Sequence, residues 1–465
     1  MATEKISSLT RLYVWSIVLE PLLFFVIADR TVAGIGGNIS RILQFIVILG
    51  LLVRLLNSSS WPKVANPFNP LYRNYTYYFL LVVLAGIIGL LQGAYTINFD
   101  SQSEVSGLAR FLNGPFIRPF FEYFITLYYF VYFCILPSYL VKTDRGIDYF
   151  FKVFFRMFVL GLMLGYIDLF LAVMGYDWIP RHMLEGVHVG LRFHGIAGEP
   201  RDAFVYMLLS LAILNLQQYW INRCFINTKW IIIIFLTMLL TQSASGLLGL
   251  LFASVLIFIY SRARLSIKSI LQMALVLSSL VLIIYIGFIS SPRLMRYFAI
   301  LPELMSYLKE GGTVPLTFLG QMANIYPLWD FYNSIINFDI IKVFFGQGLG
   351  SASIINSILY GENDVMNPNS EVVRLIFESG IAGLLLFIFA FVYPVRLLTK
   401  KISKKIRKRF IIILLLLIGG FLGHRSSALF IYLGIFILVM QKIDHKQEIT
   451  DGLGDSLNLH IQSSD

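Results

Sequence analysis

Arg192 and Arg201 stand nine residues apart in Arg192-Phe193-His194-Gly195-Ile196-Ala197-Gly198-Glu199-Pro200-Arg201-Asp202. Gly195 and Gly198 let backbone come close, and Asp202 falls where a helix is expected to begin. Two guanidinium groups beside a helix N-terminus make an anion cradle, because unsatisfied amides and the helix dipole both favour negative charge there. Arg293, Arg296 and the pair His424-Arg425 are further cations expected on the same side. The plainer reading is that these arginines meet lipid phosphate at an interface. The glycines of Phe344-Phe345-Gly346-Gln347-Gly348-Leu349-Gly350-Ser351 read as a flexible turn and not as a dinucleotide fingerprint, since no strand precedes them and the spacing is wrong. With no Walker-type loop and no CxxC spacing, neither ATP-driven transport nor a cofactor is expected.

The elements that must position these residues are membrane helices. Of 465 residues, 57% are hydrophobic and 14% charged, too little polar surface to coat a soluble globule. The expectation is an all-α, polytopic transmembrane helix bundle forming one domain over 1–465. About twelve spans are read: Leu12–Ala28, Ile42–Leu56, Tyr77–Ile97, Phe120–Val141, Phe150–Met174, Ala203–Trp220, Trp230–Thr241, Gly246–Tyr260, Ile270–Phe288, Val372–Val395, Phe410–Leu422 and Ser427–Gln441. The seventh and eleventh are short enough to be paired or re-entrant. The only long interruption, residues 291–371, is a loop that carries an amphipathic stripe of Leu294, Phe298, Leu301, Met305 and Leu308.

Alternate links collect Arg54, Lys63 and Arg73, then Lys142, Arg145 and Lys152, then Arg223 and Lys229, then Arg262, Arg264 and Lys268, and finally the basic run from Lys400 to Arg409. Positively charged short loops stay cytoplasmic, so both termini are expected inside and the 291–371 loop outside. That bias, with attraction to membrane lipids, accounts for most of the net charge of +11, and no nucleic-acid partner is implied. The first apolar stretch carries Glu20 and lacks a small-residue cleavage site, so it reads as a retained span. Cys134 and Cys224 fall where no oxidising compartment would pair them, and no disulfide is expected. Within the spans, Glu20, Arg156 and Asp168 must face protein interior or water, either as bundle contacts or as a proton or ion pathway. Met366-Asn367-Pro368-Asn369-Ser370-Glu371 leads into the tenth span, whose Glu378-Ser379-Gly380-Ile381-Ala382-Gly383 puts small residues at a packing face.

In these stretches the chain resembles the O-antigen polymerase and O-antigen ligase superfamily of bacterial inner-membrane glycosyltransferases. The resemblance rests on Arg192-Phe193-His194-Gly195 with Gly198-Glu199-Pro200, on Thr241-Gln242-Ser243-Ala244-Ser245-Gly246-Leu247-Leu248-Gly249, on Phe345-Gly346-Gln347-Gly348-Leu349-Gly350, and on Asn369-Ser370 leading to Gly380-Ile381-Ala382-Gly383. It runs from Arg192 to Gly383, and the first five spans share only general likeness. It implies a glycan donor on undecaprenyl diphosphate, transfer in the periplasm without metal or nucleotide, and a chain-length-regulating membrane protein as partner.

The implied task is to bind the diphosphate leaving group and to activate an acceptor hydroxyl. Arg192, Arg201 and Arg425, with Arg296 and His424 beside them, would bind the diphosphate. Glu199, Glu371 and His194 are the candidate general bases. Three positions depart from the family pattern. Asn367-Pro368-Asn369 stands where ligases carry His, Gln321 near the place of a loop arginine, and Ala244 where an arginine often sits. Loss of the His favours a polymerase over a ligase. A secondary transporter or lipid-linked oligosaccharide flippase remains the alternative from another class; it would show repeats with broken helices in both halves.

Overall fold

The computed structural model describes residues 6–22, 39–57, 68–92, 117–176, 192–197, 199–261, 319–353 and 370–462, with single residues at 278, 302 and 306. The described residues are helical, with no strand among them. In chain order the helices are α1 (Ser8–Val18), α2 (Ile39–Leu56), α3 (Arg73–Leu91), α4 (Ile117–Tyr129, continued by a π-type turn over Phe130–Ile135 and a short helix Pro137–Leu140) and α5 (Asp144–Val173). After them come α6 (Pro200–Asn222), α7 (Thr228–Leu240), α8 (Ala244–Ser261), α9 (Leu319–Ile336), α10 (Ile340–Phe345), α11 (Glu371–Leu398), α12 (Lys404–Gly423) and α13 (Ala428–Gln462).

Seven of these segments are long and apolar enough to cross a membrane: α2, α3, the Pro119–Leu140 part of α4, α5, α6, α11 and the Ala428–Lys446 part of α13. They lie within or around seven of the twelve expected spans. The expected first span is corrected: α1 stops at Val18, and Glu20 lies in the turn that follows. Pro21 explains the stop, since proline disfavours helix at the residue before it and supplies no amide. The seventh and eighth expected spans become the short α7 and the α8 that follows it, joined through Gln242 at φ 47°. The ninth, Ile270–Phe288, lies outside the described residues except for Ser278, and so does most of the amphipathic stripe at 294–308.

Local chemistry starts the helices where it should. Ser7 accepts from Thr10 N at the head of α1, Thr143 from Gly146 N at α5 and Ser403 from Ile406 N at α12, each taking one orphan amide of the first turn. Pro200 opens α6, where its missing N–H costs nothing. Lipid-facing character is plain on α2, where Phe45, Leu52 and Val53 are exposed. The interior is aromatic: Tyr75 stacks on Phe130 with centroids 3.9 Å apart, and Phe387, Phe391, Phe421 and Phe430 continue the layer.

Small residues bring α8 and α12 close together. A side chain at Gly249 would strike the carbonyl of Gly419, and one at Gly423 the carbonyl of Ser245, so α8 and α12 touch backbone to backbone. In α4 the π-type turn has a similar effect. Pro137 cannot donate to Phe133 O, and the Phe133 carbonyl lies where a Cβ on Gly434 of α13 would be.

The candidate functional site

Helix ends converge on one region. Ser370, just before α11, donates to Leu422 O near the end of α12 at 3.2 Å. His424, which caps α12, lies 2.8 Å from Asp202 in the first turn of α6. Phe193 N donates to Leu240 O at the end of α7, fastening the 192–197 segment to the α7–α8 turn, which in turn meets Gly423.

An acidic and basic cluster lies beneath this junction. Arg374, one turn into α11, is held by three carboxylates: Glu371 at 2.7 Å, Glu122 of α4 at 3.0 Å and Glu378 at 3.8 Å. Arg425 reaches the same Glu122 oxygen at 2.8 Å, with its guanidinium 5.9 Å from the centre of the Tyr129 ring. Two cations and three carboxylates thus share one buried volume. Glu378 is 0% exposed, and neither of its oxygens accepts a hydrogen bond among the described residues. Such a group is rare in native interiors and marks the base of the cluster as chemically unusual.

The Gly-rich turn supports that base. Gly346, Gly348 and Gly350 all have positive φ, at 72°, 91° and 82°. Helix α11 breaks at Gly380, which has φ 65° and leaves no room for a Cβ against Phe344. The break frees the carbonyls of Phe377 and Glu378, and Gln347 N and Gly348 N donate to them at 2.9 and 2.8 Å. Broken helix in a membrane needs its freed carbonyls satisfied, and this turn satisfies two of them. Gln347 also donates to Asp330 of α9 at 2.5 Å.

Above the cluster lies a more open rim. Arg201 pairs with Glu199 at 2.6 Å, with side chains 36% and 34% exposed, while Arg425 is 22% exposed. Arg192 donates through Nε to Thr241 O at 3.1 Å and through Nη2 to Gln242 O at 2.8 Å, so it binds the C-terminal carbonyls of α7. Cations are favoured at that end of a helix. His194 is buried, its Nε2 3.3 Å from Asp168 in the last turns of α5 and its Nδ1 3.2 Å from Gly195 O. Arg296 lies outside the described residues.

Of the sequence candidates, the structure brings Glu199, Arg201, Glu371, His424 and Arg425 to the junction and its cluster. Arg192 and His194 stand at the adjoining α7 and α5 ends. Glu122 and Arg374 were missed, and Glu378 was read only as part of a packing motif. The signal existed, since all three are ionisable groups inside expected spans, as Glu20, Arg156 and Asp168 are. Glu20 is a bundle contact, paired with Arg41 at 2.6 Å and bonded to Ser40 and Gln44. Of the two expected alternatives, protein interior or water, Arg156 does not take the interior one, since it is exposed on α5. Among the described residues no group of three His, Cys, Asp or Glu side chains is placed to hold a metal ion. The chain matches no protein-family model and no curated protein.

Proposed function

We propose that this protein is a polymerase of the O-antigen type, which joins oligosaccharide repeat units carried on undecaprenyl diphosphate at the periplasmic face of a bacterial inner membrane. The observation that carries the reading is convergence. Segments 192–197 with 199–202, 241–249, 345–350 and 370–383, far apart in sequence, are linked by named contacts that run between the α12–α13 junction and one charged cluster with an open rim.

The reaction forms a glycosidic bond from an acceptor hydroxyl oxygen to the anomeric carbon of the growing chain. The bond from that carbon to the diphosphate breaks, and undecaprenyl diphosphate leaves with the electron pair. A base takes the hydroxyl proton. Arg201 and Arg425, beside the N-termini of α6 and α13, suit the diphosphate, since fixed cations aimed at developing charge need no reorganisation during reaction. Of the expected bases, Glu199 pairs with Arg201 on the rim and Glu371 pairs with Arg374 in the cluster, with His194 the more deeply buried alternative.

Purified protein in lipid vesicles, given a single undecaprenyl-diphosphate repeat unit, should produce a ladder of lengthened glycans and one free undecaprenyl diphosphate per bond. Transfer to a lipid A-core acceptor without lengthening would make it a ligase. Movement of the unit across the sealed bilayer without bond formation would make it a transporter, the second reading, which the break of α11 at Gly380 beside buried Glu378 favours.

The full architecture under this reading has about twelve spans, both termini cytoplasmic and the 291–371 loop periplasmic. Reporter fusions after Lys405 should score cytoplasmic and fusions within 291–371 periplasmic. An outward report at Lys405 overturns the orientation and the side assigned to the site.

A further inference from the structure

We propose that a groove between α5 and α6, at the opposite end of both helices from the charged cluster, seats the headgroup of an anionic phospholipid from the surrounding bilayer. This inference needs only the membrane reading and is independent of the transferase.

The groove has a volume of about 560 Å³, and its lining includes Asp148, Lys152, Phe155, Arg156, Trp220 and Ile221. Lys152 and Arg156 are both exposed and lie four residues apart on α5, so they share one helix face. Like charges at that spacing repel, and neither forms an ion pair among the described residues. The carboxylate in the groove lining, Asp148, accepts the indole N–H of Trp220 at 2.8 Å. Trp220 also carries Lys446 of α13 over its ring at 4.4 Å, and Lys446 pairs with Asp144 at 2.7 Å. Two cations, Lys152 and Arg156, therefore line a groove whose one lining acid, Asp148, is hydrogen-bonded to Trp220, with the paired Lys446 beside it.

Depth fits a headgroup as well. Helix α5 has 30 residues, about 45 Å at the helical rise, against a hydrocarbon core of about 30 Å. Its first turns can therefore stand in the headgroup layer, with Lys152 and Arg156 reaching toward it, while tryptophan prefers that boundary. Ile221 and Phe155 leave an apolar wall for the first part of an acyl chain. A phosphate with its negative charge on Lys152 and Arg156 removes the repulsion between them.

The test compares thermal unfolding of the full-length protein in nanodiscs of phosphatidylglycerol and of phosphatidylcholine, with phosphatidylglycerol affinity measured by native mass spectrometry. The parent should unfold at higher temperature in phosphatidylglycerol. The K152Q/R156Q variant should lose that increment, keep its phosphatidylcholine value, and bind phosphatidylglycerol about thirtyfold more weakly, the worth of two interfacial cations. A K400Q/K401Q variant, with the same charge removed elsewhere, should keep the increment. An undiminished increment in K152Q/R156Q, or an equal loss in K400Q/K401Q, overturns the site. A stabilisation of the parent by millimolar inorganic phosphate in phosphatidylcholine equal to that from phosphatidylglycerol overturns the lipid as its occupant.

Discussion

Replacing Arg374 with methionine is expected to destabilise the protein by about 3–5 kcal/mol, the range for removing one partner of a buried ion network. Arg374 holds Glu371 at 2.7 Å and Glu122 at 3.0 Å and is the only cation within 4 Å of Glu378 among the described residues. Its loss leaves three carboxylates in one volume with Arg425 alone to offset them. The measurement is the unfolding temperature in detergent, followed by fluorescence-detected size exclusion. Adding Glu371→Gln and Glu122→Gln to the same chain should recover most of the loss, because Arg425 then has one carboxylate, Glu378, to offset in place of three. An Arg374→Met single variant as stable as the parent would show that the carboxylates do not depend on this guanidinium.

The second large effect is catalytic. Arg425→Ala should reduce polymer formation by about 10²–10³-fold, the scale for removing one preorganised donor to a developing oxyanion, while the protein still inserts. Arg425→Lys should restore only part, since a point charge cannot reproduce a planar fork. Arg201→Ala should act in the same direction, because Arg201 is the other rim cation and pairs at 2.6 Å with a half-exposed Glu199. Glu122→Gln separates roles: it removes the negative charge 2.8 Å from Arg425 while leaving the cation in place, so it should lower activity less than Arg425→Ala does. Normal polymer from Arg425→Ala at normal protein levels would remove this arginine from the diphosphate site.

Arg192 shows why residue type alone was an uncertain guide. Its spacing from Arg201 suggested a pair of equivalent cations, yet it binds two main-chain carbonyls at the end of α7. Its replacement would disturb the α7–α8 turn as well as any bound anion. Arg425 and Arg201 are thus the cleaner tests of charge.

Much of the framework is written in local sequence. Hydropathy alone gives the long helices α3, α5, α6 and α11, because a spanning helix must satisfy its backbone within itself and show apolar side chains to lipid. Ser7, Thr143, Ser403 and Pro200 mark helix starts by chemistry that acts within four residues. The sequence also showed that charges at membrane depth need partners. It could not say which, since Glu122 meets Arg374 across 252 residues and Arg425 across 303, and no periodicity links such distant positions. Helix rotation was equally out of reach. Asp168 turns inward to His194 and Arg156 outward to the groove, although both lie on α5, because the packing of neighbouring helices chooses the buried face. Glycine spacing marked Gly346 to Gly350 as a turn, but only the break at Gly380 gives that turn its purpose. Carbonyls freed in one helix must find donors, and tertiary contact supplies them from a segment thirty residues earlier.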